Sequence, residues 1–389
     1  MKKRTFIKKA GLGTLAMAGM GLTGLQCKPK EHADSPQAAQ PLAKQQKNWA
    51  WINPQEDWKI DDWKKKLTLA KSNGFDALLM NVYNGRSAYF ESADSPVQST
   101  IAHEVVKICQ SIDMEFHAWM FTMPCNIPEI VQQHPDWFAV NRKGESAASK
   151  PAYVDYYKFL CPCNEEAMEF VRQNVISVSS IPGIDGVHFD YIRLPDVILA
   201  EGLQPKYNIV QDKEYPEYDY CYSSYCIDKF KALTGIDPLT DIRDHASHQQ
   251  WRQFRYDSIT QLVNNLWLPE IKKKDLMATA AVFPNWESVR QEWHKWDLDG
   301  FLPMLYHNFY NEGIAFIEEH TRKNIQRLKK FNNLKPIWSG IFLPEIDNRE
   351  LSQAVAHARN GGSQGIALYA LDSASDDQII TIGKSLTSV

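Results

Sequence analysis

The stretch Ala77-Leu-Leu-Met-Asn-Val-Tyr83 is almost unbroken in its apolar character. It is too short for a buried helix and is stopped upstream by Asn73-Gly74. Such a run is what a strand shows when both faces of its sheet are covered, the situation of parallel sheets wrapped in helices. Working outward, similar short runs recur. Upstream lies Asn48-Trp-Ala-Trp-Ile52; downstream lie Glu115–Phe121, Gly186–Asp190, Leu276–Phe283, Gly300–Tyr306, Pro336–Phe342 and Gly365–Tyr369. Between them the apolar spacing changes to helical at 61–73, 101–112, 165–180, 249–274, 312–331 and 348–360. Strands alternating with helices imply parallel pairing through right-handed crossovers. Eight such strands predict a closed (β/α)8 (TIM) barrel rather than an open doubly wound sheet. No G-x-G-x-x-G or phosphate-binding loop follows any strand, which argues against nucleotide binding. Two connections are long, 122–164 after the third strand and 191–248 after the fourth. Both leave strand C-termini, the face on which barrels build active sites. The second carries Tyr207, Tyr215, Tyr218, Tyr220, Tyr222 and Tyr225. They form either a stacking lid over a sugar or a small hydrophobic cluster of their own.

Composition narrows the function classes. The 389 residues carry 43 Lys+Arg against 47 Asp+Glu, a formal charge of −4, with 44% hydrophobic and 23% charged residues. These values exclude wholesale disorder and a multi-span membrane protein. The lack of basic excess argues against nucleic acid as a partner. Length alone suits two or three domains, but barrels of this class run longer as one. Aromatic residues are 12% of the chain, with 12 Trp and 16 Tyr. Rings with a polar edge suit a sugar-binding cleft, and they equally suit a large buried core.

The amino terminus reads as an address. Lys2, Lys3, Arg4, Lys8 and Lys9 precede an uncharged Gly-, Ala- and Leu-rich run from Ala10 to Leu25. That order predicts an export signal over residues 1–27, by the general or the twin-arginine route. Cys27 stands where a bacterial lipoprotein cysteine would, although Gln26 replaces the small residue usual before it. Acylated there, the protein would hang from a membrane without spanning it. Residues 28–47 read as a flexible tether and 48–389 as the barrel domain. The expected location is the cell envelope, periplasmic or lipid-anchored, or the medium outside. Six further cysteines follow. Cys161-Pro-Cys163 is too tight for a mutual disulfide, and Cys221 and Cys226 are a candidate pair. No cysteine or histidine spacing calls for a metal, and no cofactor is expected.

Chemistry is expected at strand ends. Asp190 is the first acidic residue at the end of the fourth strand, with Arg193 three residues on and His188 two back on the same face. A neighbouring cation would keep Asp190 ionised, suited to stabilise an oxocarbenium-like transition state as nucleophile or base; the competing reading is a cap on the following turn. Binding groups are offered by Asn81 and Tyr83, His117 and Trp119, Tyr306 and His307, and Tyr369 and Asp372. Glycoside hydrolysis usually needs a second carboxyl. The candidates are Glu345 after the seventh strand, which ranks first, Asp372 after the eighth, and Glu287 after the fifth, which either joins the site or opens a helix over 287–296.

The stretch Asp185-Gly-Val-His-Phe-Asp-Tyr-Ile-Arg-Leu-Pro195 resembles the D-G-[IV]-H-x-D-Y-I-R-Y-P signature of the glycosyl-hydrolase-like family 10 barrels. The resemblance extends through Asn81-Val-Tyr83, Ser87–Ser92, His134-Pro-Asp-Trp137 and Trp293–Tyr306. It implies a bacterial envelope or secreted (β/α)8 protein linked to glycan cleavage, with Asp190 the strand-four acid and Tyr191 and Arg193 shaping its site. This chain departs from the pattern where the family has a Gln-Val-Arg strand end and a following Asp, here Asn81-Val-Tyr83 and Ser87, and where Leu194 replaces Tyr. The sequence therefore points first to an exported glycoside hydrolase, second to a carbohydrate-binding pseudoenzyme, and third to another carbohydrate-active enzyme using His117 or His188.

Overall fold

A computed structural model describes residues 46–387; the predicted signal, Cys27 and nearly all of the tether lie outside that range. Eight strands, β1 Trp49–Ile52, β2 Ala77–Tyr83, β3 Glu115–Phe121, β4 Gly186–Asp190, β5 Met277–Val282, β6 Gly300–Pro303, β7 Ser339–Phe342 and β8 Ile366–Tyr369, run parallel in the order β6-β5-β4-β3-β2-β1-β8-β7. The ends meet through parallel bridges Phe301–Ile337 and Met304–Gly340, so the sheet closes into the expected barrel. Strands β2, β3 and β4 begin and end where the sequence places them; β5 to β8 are shorter by one to three residues at one or both ends.

Around the sheet, the longer crossover helices each bury one stripe. Ile60–Ser72 presents Trp63, Leu67 and Ala70, one helical face, while its Lys residues stay outside. Asn348–Gly361 starts where the Asp347 side chain accepts from the Arg349 and Glu350 amides. The connection between β5 and β6 has no α-helix. The 287–296 helix is replaced by two 3₁₀ turns, Trp286–Val289 and Trp293–Lys295. Three helices were not legible in the pattern: Pro128–Gln133, Ser224–Thr234 and the C-terminal Asp376–Thr387.

Inside the barrel, four tryptophans, Trp49, Trp51, Trp119 and Trp338, face small residues such as Ala77, Ala281 and Ala367. A side chain at Gly300 would put its Cβ 2.3 Å from the Trp338 ring. Large rings are accommodated because neighbouring strands give way, the alternation a filled barrel requires.

The two long connections lie on each other over the C-terminal end. Asn141 and Tyr220 form an antiparallel bridge, and the Tyr222 amide donates to the Val140 carbonyl at 2.6 Å. A buried charge cluster fastens the second connection. Asp219 accepts from Arg255, from Arg290 at 3.4 Å and from the Tyr222 hydroxyl at 2.7 Å, with Arg290 also donating to Glu214 at 2.6 Å. The two guanidiniums outweigh burial and hold the Asp219 carboxyl below its usual range.

Candidate active site

A cavity of about 280 Å³ opens at the C-terminal end of the barrel. Its floor is made by the uppermost inward residues of the strands: Trp51, Trp119, Phe121, Asp190, Phe342 and Tyr369. Its walls come from the long connections, with Tyr153, Tyr156 and Tyr157 from the first and Asp196, Leu203 and Tyr207 from the second. Tyr306, Phe309 and Tyr310, from the turn after β6, complete it. That turn meets the 201–207 turn closely: a Cβ at Gly202 would lie 2.4 Å from the Asn308 carbonyl oxygen.

Asp190 lies at the floor and is 8% exposed. One carboxyl oxygen accepts from the Tyr191 amide at 2.6 Å and the other from the Trp119 indole N–H at 3.2 Å. Tyr191 turns the chain there with a positive φ of 54°. Burial dominates and pushes the Asp190 carboxyl up to about 6, against the opposing pull of those two donors and Arg193. This corrects the expectation that the cation keeps Asp190 firmly ionised. The carboxylate that Arg193 holds is Asp196, at 2.8 Å, while its other nitrogen donates to the Tyr157 hydroxyl at 3.2 Å. The guanidinium is packed among the rings of Tyr157, Phe159, Tyr191 and Phe283.

Trp119, Asp190, Tyr191, Arg193, Tyr306 and Tyr369 are thus brought together as the sequence suggested. Burial raises the phenols of Tyr306, Tyr191 and Tyr369, so they remain protonated and can donate. The other candidates lie elsewhere. His188 is fully buried one layer below Asp190. Its Nε2 accepts from the Trp51 indole at 3.1 Å, and its Nδ1–H therefore donates to Thr279 Oγ1 at 2.8 Å. Desolvation keeps it neutral. His117 is lower still, its Nε2 against Glu115 at 2.9 Å, and Glu115 is in turn held by Lys47. Among the described residues no histidine lines the cavity, so nothing there supports the His-based third reading.

Asn81 is buried and does not line the cavity; Tyr83 packs between sheet and helices, past a register shift in β2. His307 heads the turn after β6 without reaching the cavity lining. Asp372 accepts from the Asn53 amide at 3.1 Å, outside the lining. Like Asp372, the other two proposed second carboxyls do not enter. Glu345 is exposed and accepts from Asn308, and Glu287 points toward Arg327 at 3.8 Å. Among the described residues, Asp190 and Asp196 are the only carboxyls lining the cavity, and Asp196 is committed to Arg193.

Sequence reasoning missed most of the wall. Tyr153, Tyr156 and Tyr157 sit in a loop without periodicity, and their signal was only their clustering in a connection that leaves a strand C-terminus. Of the six tyrosines in the second connection, Tyr207 alone lines the cavity. Tyr218 stacks on Tyr153 at 4.5 Å, Tyr220 and Tyr222 are buried, and Tyr215 and Tyr225 bond to Asp212 and Asp136. That group is mainly a structural cluster.

A parallel eight-stranded barrel with an acidic residue at the β4 end and a ring-lined cavity is a TIM barrel with its candidate site on the face where such barrels place chemistry. The particular family follows from the sequence match: residues 49–356 fit the family described as glycosyl hydrolase-like 10, and the chain belongs to it. No curated protein matches the sequence. Among solved structures, the glycoside hydrolase domain of PgaB (BpsB) from Bordetella bronchiseptica is similar, with a TM-score of 0.66 at 13% identity over 87% of this chain and 97% of that one. The catalytic domain of β-amylase from Paenibacillus polymyxa gives 0.62 at 10% identity over 88% and 98%. A β-galactosidase from Marinomonas ef1 gives 0.62 at 11% identity over 87% of this chain and 59% of that one. At these identities the likeness is one of fold.

Proposed function

We propose that the protein is an exported glycoside hydrolase acting on a poly- or oligosaccharide, with the Asp190 carboxyl donating the proton to the departing glycosidic oxygen. The observation that carries this is the placement of Asp190: a buried carboxyl, raised to about 6, on the floor of a cavity lined by rings. A carboxyl that stays protonated toward neutral pH is suited to the acid role. Rings such as Phe121, Tyr156 and Tyr369 offer faces for a sugar, and the protonated phenols of Tyr306 and Tyr369 offer donors to its hydroxyls. With no second free carboxyl in the lining, the attacking group is water entering through the mouth or a substituent of the sugar itself, which some glycosidase families use. Export, and lipid attachment at Cys27, are part of the same proposal and rest on residues 1–27 of the sequence.

The missing second carboxyl also favours a second reading, a barrel that binds a glycan without cleaving it. Product analysis separates the two. Wild type and Asp190→Asn protein are incubated with plant, host, algal and peptidoglycan-derived glycans, and products are resolved by mass. New reducing ends from wild type alone support hydrolysis. Glycan binding without cleavage, unchanged by Asp190→Asn, refutes it and leaves the binding reading.

A further inference from the structure

We propose that Cys161, Cys163, Cys221 and Cys226 form a thiolate site for one soft divalent metal ion, of the zinc type, that clasps the two long connections together. The sulfurs of Cys161, Cys221 and Cys226 all lie within 4.8 Å of one another in a buried pocket. The Cys161 and Cys226 sulfurs are 3.6 Å apart, and the Cys163 thiol, two residues along the chain from Cys161, stands beside Ser258 Oγ at 3.8 Å. Four sulfurs held about 2.3 Å from one tetrahedral ion stand about 3.8 Å apart. Three of the four sulfurs therefore already stand close to the spacing of a thiolate cage, and the Cys163 thiol would turn in to complete it. A disulfide needs its two sulfurs at about 2.05 Å, and all six described cysteines are free.

The surroundings suit metal-bound thiolates. The Val140 amide donates to the Cys221 sulfur at 3.5 Å, and the Cys163 amide to the Cys161 sulfur at 3.4 Å. Ser223 Oγ is 3.0 Å from the Cys161 sulfur, and Ser223 caps the helix Ser224–Thr234 whose first turn holds Cys226. That helix end favours negative charge on the sulfur beside it. Binding would release the thiol protons and leave the metal–sulfur charge met by these donors.

The sequence spacing hides the site because the ligands come from two loops. Four residues separate Cys221 from Cys226, within the range of paired zinc ligands. Their partners, Cys161 and Cys163, lie about 60 residues upstream, in the connection that carries Tyr153, Tyr156 and Tyr157. The second connection carries Tyr207 and Asp196. A metal clasp would thus fix both walls of the cavity relative to each other, and it stands or falls independently of the glycosidase reading.

The full-length chain, purified without chelator, is tested by elemental analysis and by native mass spectrometry, then stripped and reloaded with Co²⁺. One ion per chain is expected, with the intense thiolate-to-cobalt absorption of a tetrahedral site. Cys226→Ser and Cys221→Ser should lose that absorption, while Cys109→Ser, a buried cysteine outside the cluster, should keep it. A metal-free wild type that takes up no cobalt overturns the proposal, whether its mass shows free thiols or the loss of two hydrogens per disulfide. If the serine variants do not fold, the wild-type cobalt spectrum alone decides.

Discussion

Replacing Asp190 by Asn should stabilise the protein at alkaline pH relative to acid. In the folded chain this carboxyl titrates at about 6, against an ordinary value of 3.8. A carboxyl whose pKa is raised by folding holds its proton more tightly in the folded state. The associated stability is fully present below about pH 4 and is lost as pH rises through about 6. The difference amounts to about 3 kcal/mol between pH 4 and pH 8. Asn does not titrate, so the variant escapes that loss. It carries its own cost, because its amide N–H₂ must face either the Trp119 indole N–H or the Tyr191 amide, both donors. That mismatch costs about 1–3 kcal/mol, but it is the same at every pH. The quantity to measure is therefore the change in the wild-type-to-variant difference across pH. Melts of both proteins from about pH 4 to pH 8 should show the variant gaining about 3 kcal/mol on wild type, about 4 °C in Tm for a chain of this size. Melting curves that stay parallel across that range would refute the claim that burial governs Asp190.

Three further outcomes follow from the same geometry. Hydrolysis should fall as pH rises through about 6, since the acid form is lost, and Trp119→Phe should move that fall to higher pH by removing a donor that favours the ionised form; a pH–rate profile checks both. Arg193→Ala leaves Asp196 buried without its partner and should cost about 3–5 kcal/mol in urea unfolding, with Asp196 the residue whose neutralisation to Asn restores part of it. Gly202→Val drives a side chain into the Asn308 carbonyl and should part the 201–207 and 307–310 turns. The expected result is weaker glycan binding by calorimetry, with a stability loss of about 1–3 kcal/mol.

The barrel was legible because its signal is local. Strands β2, β3 and β4 are apolar runs bounded by polar or Gly residues, and both of their faces are buried. The helix Ile60–Ser72 writes its buried face at helical spacing. The connection from β5 to β6 misled because Trp286, Val289, Trp293 and Trp296 have helix-like spacing but are buried one by one in separate turns. Ser224–Thr234 was lost because its short apolar face packs away from the sheet, Phe230 on Trp251 and Phe254 of the helix Gln249–Gln261 and Cys226 on Cys161 of the first long connection.

The site was only half legible, and the reason is depth. Alternation correctly put His188 and Asp190 on one face, and likewise His117 and Trp119. Alternation does not say which layer of the interior a residue occupies. Two residues along a strand is about 6.6 Å along the barrel. That step takes His188 below the cavity floor, between Thr279 and the indole N–H of Trp51, where every hydrogen-bonding atom of its ring has a protein partner. The same step separates Trp119, which touches Asp190, from His117, which bonds to Glu115. Polar character alone cannot distinguish these positions, because a filled barrel buries its lower polar groups among its own side chains and only the top layer faces the cavity. The second carboxyl failed for a related reason. Glu345 follows β7 by three residues, already far enough for the chain to leave the barrel mouth and meet Asn308 in the solvent. A group acting over the cavity must end a strand, as Asp190 does, or be carried back by a long connection, as Tyr157 and Asp196 are.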